Sequence, residues 1–257
     1  MPEYVLDHHQ EGERERLALM SQLLDPMHRR YVERQGIGPG AQTLEVGCGN
    51  GSISAWLAVL VGPAGRAVAV DLDLSLVEAG LANLDLRQGD IVAGPVAPGD
   101  FDLVTARAVL HHVSDADTAI ENLVASARPG AAILLIEPDF LPVSVAEPPE
   151  IRAFWEGWLA WSREQGIDYF IGRRLPAALS RLGVERIEAT AETALYNGGS
   201  SWARYWELTI VELRDRLVAS GQLSDELIDT FLSRCRDPSW WTQTIAFTAV
   251  RGLAPAA

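Results

Sequence analysis

The feature that most constrains this chain is Glu45-Val46-Gly47-Cys48-Gly49-Asn50-Gly51, set between a short apolar run (TLEV) and a longer one (ISAWLAVLV). The first run has the length and composition of a buried strand, the second of a helix beginning near Ser52. Alternate glycines let the backbone turn tightly and approach a ligand closely, and the helix N-terminus beyond them supplies N–H donors. Asp71 stands 20 residues after Gly51, at the end of a second strand-like run (AVAVDLD). A carboxylate there can accept both hydroxyls of a ribose. Glycines alone would signal only a tight turn. The order strand, glycine loop, helix, strand, acid predicts a nucleoside cofactor site.

The same alternation continues. SLVEAGLANL reads as a short helix from Ser75, LRQGDIV as a third strand with its exit loop, and FDLVTARAV as a fourth strand. HHVSDADTAIENLVASAR continues into a helix stopped by Pro129 and Gly130, and AAILLIEPDF forms a fifth strand. These strands are continuous apolar runs, as in a parallel sheet covered on both faces. Right-handed crossovers then give an α/β, doubly wound, mostly parallel sheet. Residues 13–35 read as a helix, with Pro26 as a kink or break. After a proline-rich stretch at 141–150 come three further helical patterns, at IRAFWEGWLAWSREQG, WARYWELTIVELRDRLVASG and SDELIDTFLSRC. RRLPAALSRLG adds a short helix capped by Gly183, and VERIEATAETALY and TIAFTAVRG read as late strands. The expected organisation is a single domain over 1–257. It comprises a helical cap (1–38), a cofactor-binding core (40–140) and lid or substrate-pocket helices (145–172 and 200–240).

Composition narrows the partners. The net charge of −14 carries no basic stripe, which disfavours nucleic acid and anionic membranes. No apolar run approaches the ~18 residues of a membrane span, and the charged first 16 residues lack the apolar stretch of a secretory signal. Cys48 and Cys235 have neither metal-ligand nor disulfide spacing, so a reducing cytoplasm is expected. No convincing set of acids marks a metal site.

The motif Leu44–Ser52 resembles the E/D-x-G-x-G-x-G element of class I S-adenosylmethionine (SAM)-dependent methyltransferases. AVAVDLD resembles their ribose-binding segment, LRQGDIV their adenine-binding segment, and FDLVTARAVLHHVSD the fourth-strand segment of the small-molecule, biosynthetic branch. The resemblance is strong over about residues 40–140 and implies a Rossmann-like fold with SAM as cofactor and S-adenosylhomocysteine as product. It also implies roles. Glu45 would hold the methionine ammonium, and Gly47, Cys48, Gly49 and Gly51 would pass beneath the cofactor. Asp71 would bind the ribose with Leu72 beside the adenine, Asp90 and Ile91 would frame the adenine edge, and Arg107 would face the methionine carboxylate.

His111 and His112 follow the fourth strand, where a transferred methyl group would point. A neutral imidazole there can take a proton from an acceptor, although a purely structural His-His pair fits as well. Seven of the eight tryptophans lie after residue 150. Trp155, Trp158, Trp202 and Trp206, with Tyr169 and with Tyr4 and His8 of the cap, are the candidate lining of an apolar or aromatic acceptor pocket. Core packing or a homodimer surface is the alternative use of these rings. The expected reaction is methylation of O, N or C of a small metabolite, in secondary metabolism by preference. Its rivals are a SAM-binding protein with other chemistry or a sensing role, an NAD-dependent oxidoreductase, and a nucleic-acid methyltransferase.

Overall fold

The computed structural model describes residues 12–77 and 80–256. Five strands follow the expected order: β1 (Gln42–Val46), β2 (Arg66–Asp71), β3 (Leu84–Gln88), β4 (Phe101–Arg107) and β5 (Ala127–Asp139). Between them lie helices α2 (Ser52–Val61) and α3 (Ala116–Ser126), preceded by α1 (Glu13–Glu33). The C-terminal part adds α4 (Pro149–Glu164), α5 (Leu175–Arg181), β6 (Glu185–Glu192), β7 (Leu195–Asn197), α6 (Ser201–Ala219), α7 (Asp225–Cys235), β8 (Trp241–Gln243) and β9 (Ala246–Leu253).

The main sheet has the order β3-β2-β1-β4-β5-β9-β6. β1 to β5 pair in parallel, and β9 inserts antiparallel between β5 and β6. The strand order reverses between β1 and β4. Ligands of open α/β sheets bind in the crevice at the carboxyl ends of the strands at such a point. The glycine loop leaves β1 there, and the 107–112 segment leaves β4 there.

The apolar runs are continuous because both faces of the sheet are covered. On β5, Leu134 and Ile136 face the layer formed by α1, α2, α4, α6 and α7, whereas Ile133 and Leu135 face α3 and α5. The edge strand β6 is largely exposed and carries Glu185, Arg186, Glu188 and Glu192, charges that discourage pairing with another chain.

Local expectations differ from the structure in three places. The segment after Ser75 makes a turn at 75–76, and no helix forms there among the described residues. Asp73 Oδ1 accepts the Ser75 N–H at 2.8 Å, a local bond that competes with helix formation, and Gly80 weakens the helix further. α3 starts only at Ala116, after a 3-10 turn at Leu110–His112, and ends at Ser126; β5 then runs through Pro129 and Gly130. α1 continues through Pro26 without a break.

Candidate active site

The glycine loop takes its shape from left-handed backbone. Gly47, Gly49 and Gly51 have φ of +72°, +56° and +76°. A Cβ on Gly47 would collide with Val109 Cγ2, and one on Gly51 would lie 2.7 Å from Val77 Cγ1. Hydrogen bonds then pin the loop to β2. The Gly47 N–H donates to Val70 O at 2.8 Å, and the Gly49 N–H to Asp71 Oδ2 at 2.8 Å. Cys48 contributes backbone only. Its side chain is buried, and burial pushes its thiol pKa well up.

Around this loop the nucleoside candidates are unevenly placed. Asp71 ends β2, partly exposed, next to Leu72, which leaves 53% of its surface uncovered. An uncovered leucine beside a carboxylate fits the face of a base beside a ribose. Asp90 Oδ1 accepts the Val92 N–H at 2.9 Å and caps the turn that follows. Ile91 departs from expectation. Its side chain is packed in the core beneath the α3 side of the sheet, because the turn directs it inward, so it cannot frame an adenine edge.

At the methionine end, Glu45 is buried on β1 and accepts the Ser54 hydroxyl. Burial raises its pKa to about 7, an effect that Ser54 and Arg107 partly offset. Arg107 is buried too, and its Nη1 donates at 2.8 Å to Asp25 Oδ1 of α1. Arg107, expected to face the cofactor carboxylate, is thus paired with a carboxylate that the protein itself supplies. Asp25 was not anticipated, because a charge on a surface helix ordinarily faces water. Instead Glu13, Arg16, Asp25 and His28 are all buried.

α1 spans the crevice. Asp25 Oδ1 also accepts the Ser52 hydroxyl at 3.1 Å, and Ser21 Oγ lies 3.1 Å from Asn50 Oδ1. His28 Nε2 bonds Thr105 Oγ1 of β4 at 2.8 Å. Leu17 comes within 4.0 Å of where a Cβ on Gly49 would stand.

Beside the loop lies a cavity of about 640 Å³ with its open mouth counted. Its floor is Ala108, His111 and His112 after β4, with Pro138 and Phe140 at the end of β5. Its walls come from α1 (Arg16, Met20), α4 (Trp158, Trp161), α6 (Tyr205, Trp206, Thr209, Leu213) and the approach to β9 (Ile245, Phe247), with Ile167 and Tyr169 from the loop after α4. Ala108 holds a left-handed φ of +55°, a cost that non-glycine residues carry mainly at functional sites.

Two tryptophans do not belong to this wall. Trp155 is buried in the core, packed edge-on against Trp206 at 4.9 Å and against Phe231 at 5.3 Å. Trp202 packs behind the wall residues Phe247 and Tyr205 without itself lining the cavity. Trp155 and Trp158 share one face of α4 with their rings edge-on at 6.3 Å, and of the two Trp158 reaches the cavity. Trp158, Trp206 and Tyr169 do line the cavity. Tyr4 and His8 lie outside the described residues.

Glu137 on β5 was not anticipated. It is fully buried and accepts the N–H groups of Val109 and Leu110 at 2.8 Å each, and that of His111 at 3.3 Å. Its Oε2 lies 2.8 Å from His111 Nδ1. A carboxylate already serving as acceptor for three donors takes a fourth, which assigns the proton to Nδ1 and the lone pair to Nε2. The His112 ring lies against His111 at a tilt of 41° with ring centres 3.9 Å apart, and burial holds its pKa well below the usual range. A buried glutamate inside an apolar strand (LLIEPD) was the available signal.

The comparisons with known proteins agree with this geometry. A family model described as a methyltransferase domain matches residues 44–135. A ubiquinone/menaquinone biosynthesis C-methyltransferase of Hahella chejuensis is 28% identical over 129 residues, covering 46% of this chain and 52% of that protein. The chain thus spans about half the length of the curated relatives it matches. Among solved structures, the YcgJ protein of Bacillus subtilis superposes with a TM-score of 0.59 at 17% identity, covering 88% of this chain and 97% of that one. A Haemonchus contortus phosphoethanolamine N-methyltransferase 2 bound to SAM gives 0.53 at 17% identity, over 94% and 52%. These two likenesses speak for the fold. Residues 44–135 are thus similar to the methyltransferase-domain family, and the β1 and β2 geometry is of the kind that holds a nucleoside cofactor.

Proposed function

We propose that this chain transfers the methyl group of SAM to an O, N or C atom of a small apolar or aromatic acceptor held in the cavity at the ends of β4 and β5. One observation carries this reading: cofactor loop and cavity share their walls. Val109 packs against Gly47, while its neighbours Ala108 and His111 line the cavity. Leu17 approaches Gly49, while Arg16 and Met20, on either side of it, line the cavity.

Bound SAM supplies a methyl group on a sulfonium, transferred in line to an atom held about 3 Å away. The residues of this chain bind and orient. Asp71 and Leu72 would hold the nucleoside, Glu45 the ammonium, and Gly47 and Gly49 the backbone path. The aromatic wall excludes water and fixes the acceptor plane. Where the acceptor carries a proton, His111 Nε2 would receive it, with Glu137 holding the ring in the required tautomer. The net charge of −14 supports a small molecule over a polyanion, and the two buried, unpaired cysteines suit a reducing, cytoplasmic setting.

The test is incubation with SAM and a panel of phenols, amines and enolisable carbon acids, read as a mass gain of one methyl with release of S-adenosylhomocysteine. His111→Gln is expected to lower kcat on a hydroxyl acceptor by about 10²–10³ while leaving S-adenosylhomocysteine affinity unchanged. If the wild type neither methylates any acceptor nor binds S-adenosylhomocysteine in a calorimeter, the reading is wrong.

A further inference from the structure

We infer that the cavity selects an acceptor with a planar apolar body and a hydrogen-bond-accepting oxygen, carboxylate or phenolic in kind, received by Trp158 and Arg16, and that it rejects an ammonium group. The inference deepens the methyl-transfer reading and rests on it for the word acceptor.

The first observation is an unmet donor. Trp158 lines the cavity with 1% of its surface exposed, and its indole N–H is buried with no hydrogen-bond partner. A buried N–H without an acceptor is costly, and a ligand oxygen relieves that cost on binding. The neighbouring rings give the N–H no substitute: Trp161, Trp206 and Tyr169 surround Trp158 at centroid distances of 5.5–6.4 Å.

The second observation is a buried cation in the same wall. Arg16 is 2% exposed. Glu13 takes its Nε and Nη2 at 2.6 and 2.7 Å, and Nη1 makes a longer contact of 3.4 Å to Tyr205 Oη. The guanidinium also lies over the Tyr205 ring, 5.7 Å from its centroid.

The third observation concerns sign. Among the described residues no carboxylate lines the cavity; Glu13 and Glu137 stand behind Arg16 and His111 rather than on the wall. An aromatic enclosure can hold a cation by its ring faces. Here, however, one ring already faces the Glu13-paired guanidinium, and an entering ammonium would find no carboxylate among the described lining residues. An oxygen acceptor meets donors instead. The aromatic walls then take up the planar remainder.

The experiment titrates the full chain with 2-naphthoate, 2-naphthol and 2-naphthylmethylammonium, each with and without saturating S-adenosylhomocysteine. The oxygen ligands are expected to bind at least about ten-fold tighter than the ammonium. Trp158→Phe keeps an aromatic ring and removes the donor. It should weaken naphthoate by about five-fold while leaving the ammonium unchanged, a selectivity that a merely structural role would not give. Glu13→Gln with Arg16→Gln removes both charges together and should shrink the naphthoate advantage to within about three-fold. If that double variant does not fold, the wild-type ranking and Trp158→Phe still decide. Equal or tighter binding of the ammonium, or an unchanged naphthoate affinity in Trp158→Phe, overturns the inference. Failure to bind S-adenosylhomocysteine, with the ranking intact, would instead sink methyl transfer and leave the oxygen-selective cavity standing.

Discussion

Residues 45–51 hold an acid and three left-handed glycines in seven consecutive positions, whereas the cavity wall beside them is gathered from α1, α4, α6 and the ends of β4, β5 and β9. The first site works mainly through backbone: N–H groups, tight turns and close approach. The second works through side chains brought together from most of the chain. A backbone site is dictated by local conformational preference, so its residues must be contiguous. A side-chain site needs only a shared direction in space, so its residues can lie anywhere. The two also differ in how they meet substitution.

The largest effect should fall on the core behind the wall. Trp155→Ala empties a site packed by Phe154, Trp206 and Phe231 and should cost about 3–5 kcal/mol of stability, read by denaturant unfolding. If the variant melts like the wild type, Trp155 does not belong to the core and the division between core and wall fails.

Gly47→Ala comes next. It forces a side chain into positive φ and against Val109, at about 3 kcal/mol, and should abolish detectable S-adenosylhomocysteine binding. Adding Val109→Ala should recover part of the stability, since it relieves the clash but not the φ. Full tolerance of Gly47→Ala would remove the claim that backbone shapes this site.

Glu45 gives a pH signature. Its folded pKa of about 7 lies above the ordinary 4.5, so the folded state binds the proton more tightly than the unfolded one does. The stability this contributes is fully present below about pH 4.5 and is lost as pH rises through 7. Between pH 5 and 8 the wild type should lose about 2 kcal/mol relative to Glu45→Gln. S-adenosylhomocysteine affinity should rise from pH 6 to 7.5 in the wild type, as the carboxylate forms, and stay flat in Glu45→Gln. A flat wild-type profile would remove Glu45 from the ammonium.

The smallest effect is expected at Asp71. Asp71→Asn should weaken S-adenosylhomocysteine by about 1.5 kcal/mol, roughly ten-fold, without moving the melting temperature much. A large loss of stability instead would mean that Asp71 chiefly holds the loop through the Gly49 N–H.

The comparison also explains what could be read in advance. Strand runs, the glycine loop and Asp71 follow from periodicity, turn chemistry and spacing, all of which are local, whereas the roles given to Leu72 and His111 rest on the family resemblance. The helix expected after Ser75 failed because Asp73 and Gly80 outweighed a weakly apolar pattern. Trp155 and Trp158 look alike in sequence, and only the packing of α4 against α6 and α7 sends one inward and the other to the cavity.

By itself the sequence determined the mostly parallel sheet and the nucleoside-binding loop, because continuous apolar strands and a strand–glycine loop–helix order admit few other arrangements. Only the tertiary structure decided that Asp25 meets Arg107, that Glu137 meets His111, and that Arg16 and Trp158 face one cavity. Each of these pairs joins segments at least 26 residues apart in the chain. Their partnership depends on burial, which makes an unpaired charge or donor costly, and burial is a property of the assembled fold.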